Sequence, residues 1–210
     1  MRITPSINAS SFDEVKRRIA LLADLTDEFH LDIAAAELTG HQTWANPNEL
    51  DQLDEKLKLD LHLMLALKPQ EILRWTNRRV RRLLLHLEAS PNPDGLLKLA
   101  KKTGKEVFVV WSTKTERDFI ERYVPFIDGI LVLAVIPGKA GQVFLPEAYG
   151  WLEQARTLLS DKQQLFVDGG VNRENFKKVA GYQPDAVILA SAIYGAADPR
   201  TEYEALKTMA

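Results

Sequence analysis

The chain has 210 residues, of which 46% are apolar and 27% are charged, and its formal net charge is -2. This length is enough for one sizeable hydrophobic core and predicts a single domain over residues 1–210. The near-neutral charge argues against a nucleic-acid partner, because binding to a phosphate backbone needs concentrated positive charge.

Cysteine is absent, which excludes disulfides, thiol nucleophiles and thiolate metal sites. The first residues do not resemble a signal peptide, and no apolar run approaches membrane-spanning length. We therefore expect a cytoplasmic protein with no membrane partner. One basic cluster, residues 78–82, contains four arginines. We interpret it as a solvated helix end or a turn that leads into a strand.

Eight strand-like segments alternate with about eight helix-like segments along the chain. The strands are expected at residues 1–7, 29–33, 59–65, 83–87, 107–111, 129–135, 165–167 and 186–189. Helical periodicity is clearest at residues 12–22, 69–75, 93–102, 115–124, 146–159, 173–180 and 202–209.

These strands are continuous apolar runs, which is typical of a parallel sheet covered on both faces. Strict alternation of strands and helices over this length predicts an α/β protein with a (β/α)8 TIM barrel fold. A doubly wound open sheet is the structural alternative. It fits less well, because the first strand-to-helix turn, residues 6–12, lacks a glycine-rich fingerprint.

Polar residues interrupt several of these apolar strands near one pole of the barrel. His30 and Asp32 are two residues apart, so they lie on the same face of one strand. His62 lies in the third strand, and Asp168 ends the seventh. Their nitrogen and oxygen atoms are ligands that zinc, iron, manganese or cobalt accept.

The chain has two further histidines. His86 falls at the end of the fourth predicted strand, whereas His41 lies in a loop and is expected to be exposed. Any one strand histidine is more often a buried, hydrogen-bonded residue than a ligand. The interpretation as a buried, hydrogen-bonded residue is less favoured here, because three histidines and two aspartates are expected at the same pole.

Small residues follow the seventh and eighth strands, at residues 169–170 and 190–192. In barrels of this type these turns present backbone N–H groups to a phosphate. A pair of glycines is weak evidence by itself and is more often only a tight turn. Residues 138–142, with Gly138 and Gly141 as hinges, are either a mobile lid or an ordinary loop.

Taken together, these segments resemble the ribulose-phosphate 3-epimerase family, in the same order and over nearly the whole chain. They are Ile-Thr-Pro-Ser-Ile at 3–7, His-Leu-Asp at 30–32, Leu-His-Leu-Met at 61–64, His-Leu-Glu-Ala at 86–89, Pro-Gly at 137–138 with Gly-Gln at 141–142, Val-Asp-Gly-Gly-Val-Asn at 167–172 and Ala-Ser-Ala-Ile at 190–193. No single segment is specific, but the combination is.

The resemblance implies a ribulose-phosphate-binding barrel with one divalent metal ion and no organic cofactor. The implied metal ligands are His30, Asp32, His62 and Asp168, and the two aspartates are also the implied catalytic acid and base. The implied substrate-binding residues are Ser6, His62, Gly138, Gly141, Gly169, Gly170, Ala190 and Ser191. Relatives form dimers or larger assemblies, so a homo-oligomer is possible.

The sequence also departs from the family pattern. The family usually reads Val-Met-Asp-Gly and then Phe-Val-Pro-Asn after the metal aspartate, whereas this chain reads Ile-Ala-Ala-Ala-Glu-Leu at 33–38. Two methionines of the site appear as Ala34 and Leu133, while Met64 remains. The Gly-Phe-Gly-Gly lid appears as Gly-Lys-Ala-Gly at 138–141. The expected metal set is intact and the substrate-facing wall is altered.

The leading hypothesis is a metal-dependent epimerase of a ketose phosphate, with D-ribulose 5-phosphate and D-xylulose 5-phosphate as its pair. Two carboxylates would transfer protons on opposite faces of an ene-diolate. The altered segment 34–47 motivates a six-carbon ketose phosphate as an alternative. A non-catalytic paralogue that binds a sugar phosphate or a protein is a third reading. A decarboxylase of related type fits less well, because His62 stands where those enzymes carry a lysine and aspartates.

Overall fold

A closed barrel of eight parallel strands, arranged in chain order, forms the centre of the molecule. The computed structural model describes residues 1–138 and 141–210. The strands are β1 (Arg2–Ile7), β2 (Glu28–Ala34), β3 (Lys58–Met64), β4 (Val80–Leu85), β5 (Glu106–Trp111), β6 (Gly129–Leu133), β7 (Gln164–Asp168) and β8 (Ala186–Leu189). The predicted (β/α)8 barrel is confirmed, and β1 pairs with β8 to close it.

The connections between the strands are mostly helical. The α-helices are α1 (Phe12–Leu22), α2 (Ala36–Thr39), α3 (Pro93–Lys102), α4 (Arg117–Tyr123), α5 (Ala148–Leu158), α6 (Arg173–Ala180), α7 (Ser191–Tyr194) and α8 (Pro199–Met209). Shorter 3₁₀ helices cover Pro47–Gln52, Pro69–Trp75, Leu87–Ala89 and Val124–Phe126. The helix expected at 69–75 is therefore a 3₁₀ helix. In the described part of the chain, no helix has the length and apolarity needed to cross a membrane.

Helix α1 shows how the sequence pattern sets the outer layer. The Ser11 hydroxyl accepts a hydrogen bond from the Glu14 N–H at 3.3 Å and so caps the start of the helix. Phe12, Val15 and Ile19 recur at helical spacing and are buried against the barrel. Burial of this apolar stripe stabilises the packing of the helix on the sheet.

Strand side chains alternate between two apolar layers. One layer lies between the helices and the sheet, and the other fills the barrel interior. The interior layer consists of Leu84, Phe108, Val110, Leu131, Leu133, Val135, Phe166, Ala186 and Ile188. A packed interior closes the barrel below the polar pole, so the site can open only at the carboxyl ends of the strands.

A buried ion-pair cluster lies at the opposite pole of the barrel. Arg82 is 1% exposed; its Nη1 donates to Asp60 at 3.0 Å and its Nε to Glu106 at 2.6 Å. The guanidinium also lies over the ring of Phe166, 5.1 Å from the ring centre. The prediction that the basic cluster is solvated is wrong for Arg79 and Arg82, because both are buried.

The cause of this error is the position of β4. The strand begins at Val80 rather than at residue 83, so Arg82 is a strand residue. Alternation then places Arg82 on the same face as Leu84, inside the barrel. The strand also ends at Leu85, and His86 lies one residue beyond it rather than within it.

We predict that Arg82→Met destabilises the fold by about 3–5 kcal/mol, because it leaves the buried Asp60 carboxylate without its partner. Arg78→Met is the matched control, since Arg78 pairs with Glu55 on the surface. That exposed pair contributes less than about 1 kcal/mol. The free energy of unfolding in urea, measured with chelator present, tests this. Equal losses for both variants would contradict the role assigned to Arg82.

Candidate metal centre and active site

The register of the first three strands assembles one side of the site. Asp32 of β2 is paired with His62 of β3, and Ser6 of β1 is paired with His30 of β2. Neighbouring strands in a sheet lie about 4.8 Å apart, so side chains on one face of such pairs reach each other. Asp168, the last residue of β7, joins them from another part of the barrel.

Four of these side chains converge on one point. His30, Asp32, His62 and Asp168 each direct one ligand atom into a group whose atoms all lie within 4.8 Å of one another. His62 Nδ1 lies 3.1 Å from Asp32 Oδ1 and 3.6 Å from Asp168 Oδ2. His30 Nε2 lies 3.4 Å and 3.8 Å from the same two oxygens. The sequence therefore named four residues that the fold does bring together.

The electrostatics of this cluster favour a positive charge at its centre. Burial alone would lower the pKa of His62, but Asp168 and Asp32 outweigh it and raise that pKa to about 9. Burial alone would raise the pKa of Asp32, but His30 and His62 hold it well below its usual value. Two carboxylates thus face a point where a cation is stabilised.

The donor set fits a divalent metal ion. Both ring nitrogens of His30 are buried and have no hydrogen-bond partner among the described residues. A buried polar atom without a partner is costly, so an orphaned imidazole nitrogen beside two carboxylates indicates a ligand position. Two histidines and two aspartates are a set that first-row divalent metals accept. This buried His/Asp cluster could therefore hold a metal ion.

Two further polar contacts support the cluster. The Ser6 hydroxyl donates to Asp32 Oδ2 at 2.9 Å, which leaves Asp32 Oδ1 facing the histidines. On the other side, His62 Nε2 lies 3.0 Å from His86 Nε2, and His86 Nδ1 lies 2.8 Å from Glu88 Oε1. Burial lowers the pKa of His86, which favours the neutral form of its ring.

A pocket opens above the cluster at the carboxyl ends of the strands. Its walls include the two aspartates and His62 at one end and small residues of the β7 and β8 turns at the other. The residues expected to bind substrate that line it are His62, Gly138, Gly141, Gly169, Gly170, Ala190 and Ser191. Ser6 is fully buried beneath Asp32 and is absent from this lining.

The β7 turn needs its two glycines. Gly169 and Gly170 have φ of +95° and +68°, a conformation that side chains with a Cβ rarely adopt. A Cβ on Gly170 would also collide with the backbone nitrogen of Phe144. The backbone N–H groups of Gly170, Val171 and Ser191 donate no hydrogen bond within residues 1–138 and 141–210. This end of the pocket can therefore offer donors to an anion.

Sequence reasoning missed several pocket residues. Asn8 lines the pocket, and its Nδ2 donates to the carbonyl oxygen of Gly138 at 2.9 Å. Asn8 follows Ser6 at a spacing of two, and that spacing was the available signal.

Of the proposed lid, residues 139–140 lie outside the described residues. His41 is half-buried rather than exposed, and it lies outside the metal-ligand cluster.

We predict that the purified protein binds one divalent metal ion per chain and that His62→Ala weakens this binding by at least about tenfold, because one of four ligands is lost. His41→Ala is the control and should bind metal like the wild type. Competition with a chelator of known affinity measures both. Equal affinities for the two variants would exclude His62 as a ligand.

Two known proteins with similar sequences carry the same name. A protein from Mycobacterium leprae named ribulose-phosphate 3-epimerase is 26% identical over 212 aligned positions, which cover 99% of this chain and 94% of that protein. A protein of the same name from Serratia marcescens is 28% identical over 205 positions, covering 94% of this chain and 97% of that one.

Solved structures with similar folds are more distant in sequence. The 3-hexulose-6-phosphate synthase of Salmonella typhimurium superposes with a TM-score of 0.73 at 18% identity, covering 99% of this chain and 97% of that chain. The orotidine 5'-phosphate decarboxylase of Pyrococcus horikoshii has a TM-score of 0.67 at 13% identity, covering 97% and 96%. These similarities support the barrel fold alone.

The family comparison is decisive because of its extent. The model of the ribulose-phosphate 3 epimerase family matches residues 2–194, which include every strand of the barrel from β1 to β8 and all four residues of the His/Asp cluster. The chain belongs to the ribulose-phosphate 3-epimerase family, whose members are isomerases acting on carbohydrates.

Proposed function

We propose that this protein interconverts D-ribulose 5-phosphate and D-xylulose 5-phosphate in a reaction that depends on one divalent metal ion. The observation that carries this proposal is the buried cluster of His30, Asp32, His62 and Asp168 at the mouth of the barrel. Membership in the family supports the reaction type, and the cluster supports the residues. The named relatives also support a phosphorylated sugar as the substrate.

The reaction requires a proton to leave a carbon beside a ketone from one face and to return on the other. Such a C–H is a weak acid, so the negative charge that develops on the neighbouring oxygens must be stabilised. A divalent metal held by the four side chains supplies this stabilisation as a Lewis acid. The remaining requirements, which are proton transfer and orientation, belong to residues of the chain.

Asp32 and Asp168 are the proposed acid and base. They come from β2 and β7, which are separated in the ring, and both are largely buried at the floor of the pocket. Two carboxylates on opposite sides of a flat ene-diolate can exchange roles, since one removes a proton while the other donates one. We assign Asp168 to one epimer and Asp32 to the other.

Ser6 keeps Asp32 in position for this role. Its hydroxyl donates to Asp32 Oδ2, so the carboxylate is held while Oδ1 remains directed at the cluster. Because Ser6 is fully buried, we propose that it acts on the substrate through Asp32. This differs from the direct substrate contact that the family resemblance implies.

The other end of the pocket is the proposed phosphate site. Gly170, Val171 and Ser191 lie there with their N–H groups unpaired in the described part of the chain. A phosphate accepts several such hydrogen bonds at once. Met64 and Leu133 add apolar surface to the lining of the pocket. A ketose phosphate matches this order of groups, with its phosphate at one end and its carbonyl at the other.

We predict that Asp168→Asn lowers kcat for epimerisation by at least about 100-fold, because a general acid–base group is lost. Asp161→Asn, an exposed change in the loop before β7, is the control and should leave kcat unchanged. The assay should cover ribulose 5-phosphate and a six-carbon ketose phosphate. Metal content must be measured with each rate, because Asp168 is also a proposed ligand.

The same reaction run in heavy water tests the use of two carboxylates. The product should carry deuterium on the inverted carbon, because its new proton comes from an acid that exchanges with solvent. A product without deuterium would indicate one base that shuttles the substrate's own proton. A metal-loaded wild type that is inert on every ketose phosphate would favour the non-catalytic alternative.

We predict that Gly170→Ala weakens inhibition by inorganic phosphate by about tenfold or more, since it displaces a turn that donates to a charged ligand. Gly150→Ala is the matched control, because a Cβ there lies 3.9 Å from its nearest neighbour. Inhibition constants for phosphate, with thermal unfolding as a check on folding, measure the effect. Unchanged inhibition in a folded Gly170→Ala variant would contradict this phosphate site.

A further inference from the structure

His62 differs from His30 in what surrounds its ring. Its Nδ1 faces the carboxylates of Asp32 and Asp168, and its Nε2 faces His86. His30 has no hydrogen-bond partner at either ring nitrogen in the described part of the chain. Only one of the two histidines in the cluster is therefore supported from behind by another side chain.

The ring geometry shows that the contact between the two histidines is a hydrogen bond. The Nε2 atoms of His62 and His86 are 3.0 Å apart, whereas the ring centres are 5.2 Å apart and the ring planes differ by 11°. Near-parallel planes alone would also be consistent with stacking. The facing nitrogens are much closer than the ring centres, however, so the rings meet edge to edge in nearly one plane. Imidazole lone pairs and N–H bonds lie in the ring plane, so this arrangement favours one strong hydrogen bond.

The number of ring protons determines which atom donates in the hydrogen bonds from His62 to His86 and from His86 to Glu88. A hydrogen bond between two nitrogens holds one proton, so one nitrogen donates and the other accepts. If His62 binds metal through Nδ1, its proton must lie on Nε2, and His86 Nε2 must accept it. Because His86 Nε2 accepts, the ring proton of His86 lies on Nδ1, where the Glu88 carboxylate accepts it at 2.8 Å.

Burial protects this arrangement from solvent. His86 is 3% exposed, and the Glu88 side chain is 14% exposed. Water therefore cannot easily replace either partner, and a lost acceptor would leave a buried N–H unsatisfied. Both residues lie beside β4, one at residue 86 and one in the 3₁₀ helix Leu87–Ala89, so the backbone fixes their positions.

We propose that His86 and Glu88 are positioning residues that select the metal-binding tautomer of His62 and hold its ring toward the other ligands. The inference rests on the proposed metal site and extends it to two residues that do not touch the ion. A histidine ligand whose second nitrogen is held in this way binds metal more tightly, and loss of such a partner typically weakens affinity by about 10–100-fold.

Three variants with matched size separate the hydrogen bond from simple packing. His86→Phe keeps a ring of similar volume but removes the acceptor, so we expect zinc and cobalt affinities to fall by about 10–100-fold. His86→Gln can place its amide oxygen near the original Nε2, so we expect affinity to be restored to within a few-fold of wild type. His41→Phe is the control outside the cluster and should bind like the wild type.

Glu88 tests the second link in the same way. Glu88→Gln retains an oxygen that accepts from His86 Nδ1, whereas Glu88→Leu removes it. We expect the leucine variant to bind metal more weakly than the glutamine variant, with a smaller loss than for His86→Phe. This pair also remains informative if His86→Phe does not fold.

The measurements are chelator competition for zinc and the visible absorption spectrum of the cobalt-loaded protein. A weakened His62 ligand should change the cobalt spectrum of His86→Phe, and His86→Gln should restore it. A structural defect alone would lower thermal stability without this pattern of rescue. Far-UV circular dichroism and unfolding of the metal-free variants check that each protein is folded.

Two failures are distinguishable. If the wild type binds neither zinc nor cobalt, the proposed metal site is wrong and this inference falls with it. If the wild type binds metal but folded His86→Phe binds equally well with the same cobalt spectrum, the metal site stands and the positioning role is overturned. Equal losses in His86→Phe and His86→Gln would also overturn it, since the hydrogen bond would then not be the cause.

Discussion

The site depends on the register of β2 against β3. Parallel pairing sets Asp32 directly beside His62, and the two-residue alternation of a strand directs both side chains into the barrel. A shift of one residue would turn Asp32 outward among apolar residues, where an unpaired carboxylate is costly. The cluster and the register therefore support each other, because the observed pairing brings Asp32 within 3.1 Å of His62 Nδ1.

Both poles of the barrel contain buried charged groups, but these groups have different partners. We call the pole with Arg82 the lower pole and the pole with the His/Asp cluster the upper pole. At the lower pole, Asp60 and Glu106 both pair with Arg82, and Glu106 also pairs with Arg81, so each carboxylate has a cationic partner within the protein. At the upper pole, Asp32 and Asp168 face two histidines, and the ring nitrogens of His30 have no hydrogen-bond partner in the part of the chain that the structure describes. The carboxylates of the lower pole are paired with arginines, whereas the cluster of the upper pole lies open to a pocket and could hold a metal ion. The two networks are electrically coupled, because Asp60 is paired in register with His30. Burial raises the pKa of the Asp60 carboxyl, and Arg82 and His30 act in the opposite direction.

Two sets of contacts support the His/Asp cluster of the upper pole from opposite sides. Ser6 holds Asp32 on one side, and the contacts of His86 and Glu88 hold His62 on the other. Beyond them, at the β7 turn, Gly169 and Gly170 adopt positive φ, and the backbone N–H groups of Gly170 and Val171 donate no hydrogen bond to any described residue. A rigid arrangement of this kind lowers the reorganisation needed during a reaction. It also gives a reason why His86 and Glu88, which lie behind His62, are expected to matter.

The sequence by itself determined the barrel and the four members of the cluster, because alternating apolar segments and polar residues within strands are local patterns. It did not determine the burial of Arg82, the start of β4 at Val80, or the 3₁₀ form of residues 69–75, since these depend on packing against other strands. The contact of His62 with His86 also required the tertiary structure. These residues are 24 positions apart, and only the pairing of β3 with β4 brings their ring nitrogens to 3.0 Å. Long-range contacts of this kind leave no periodic signal in the chain.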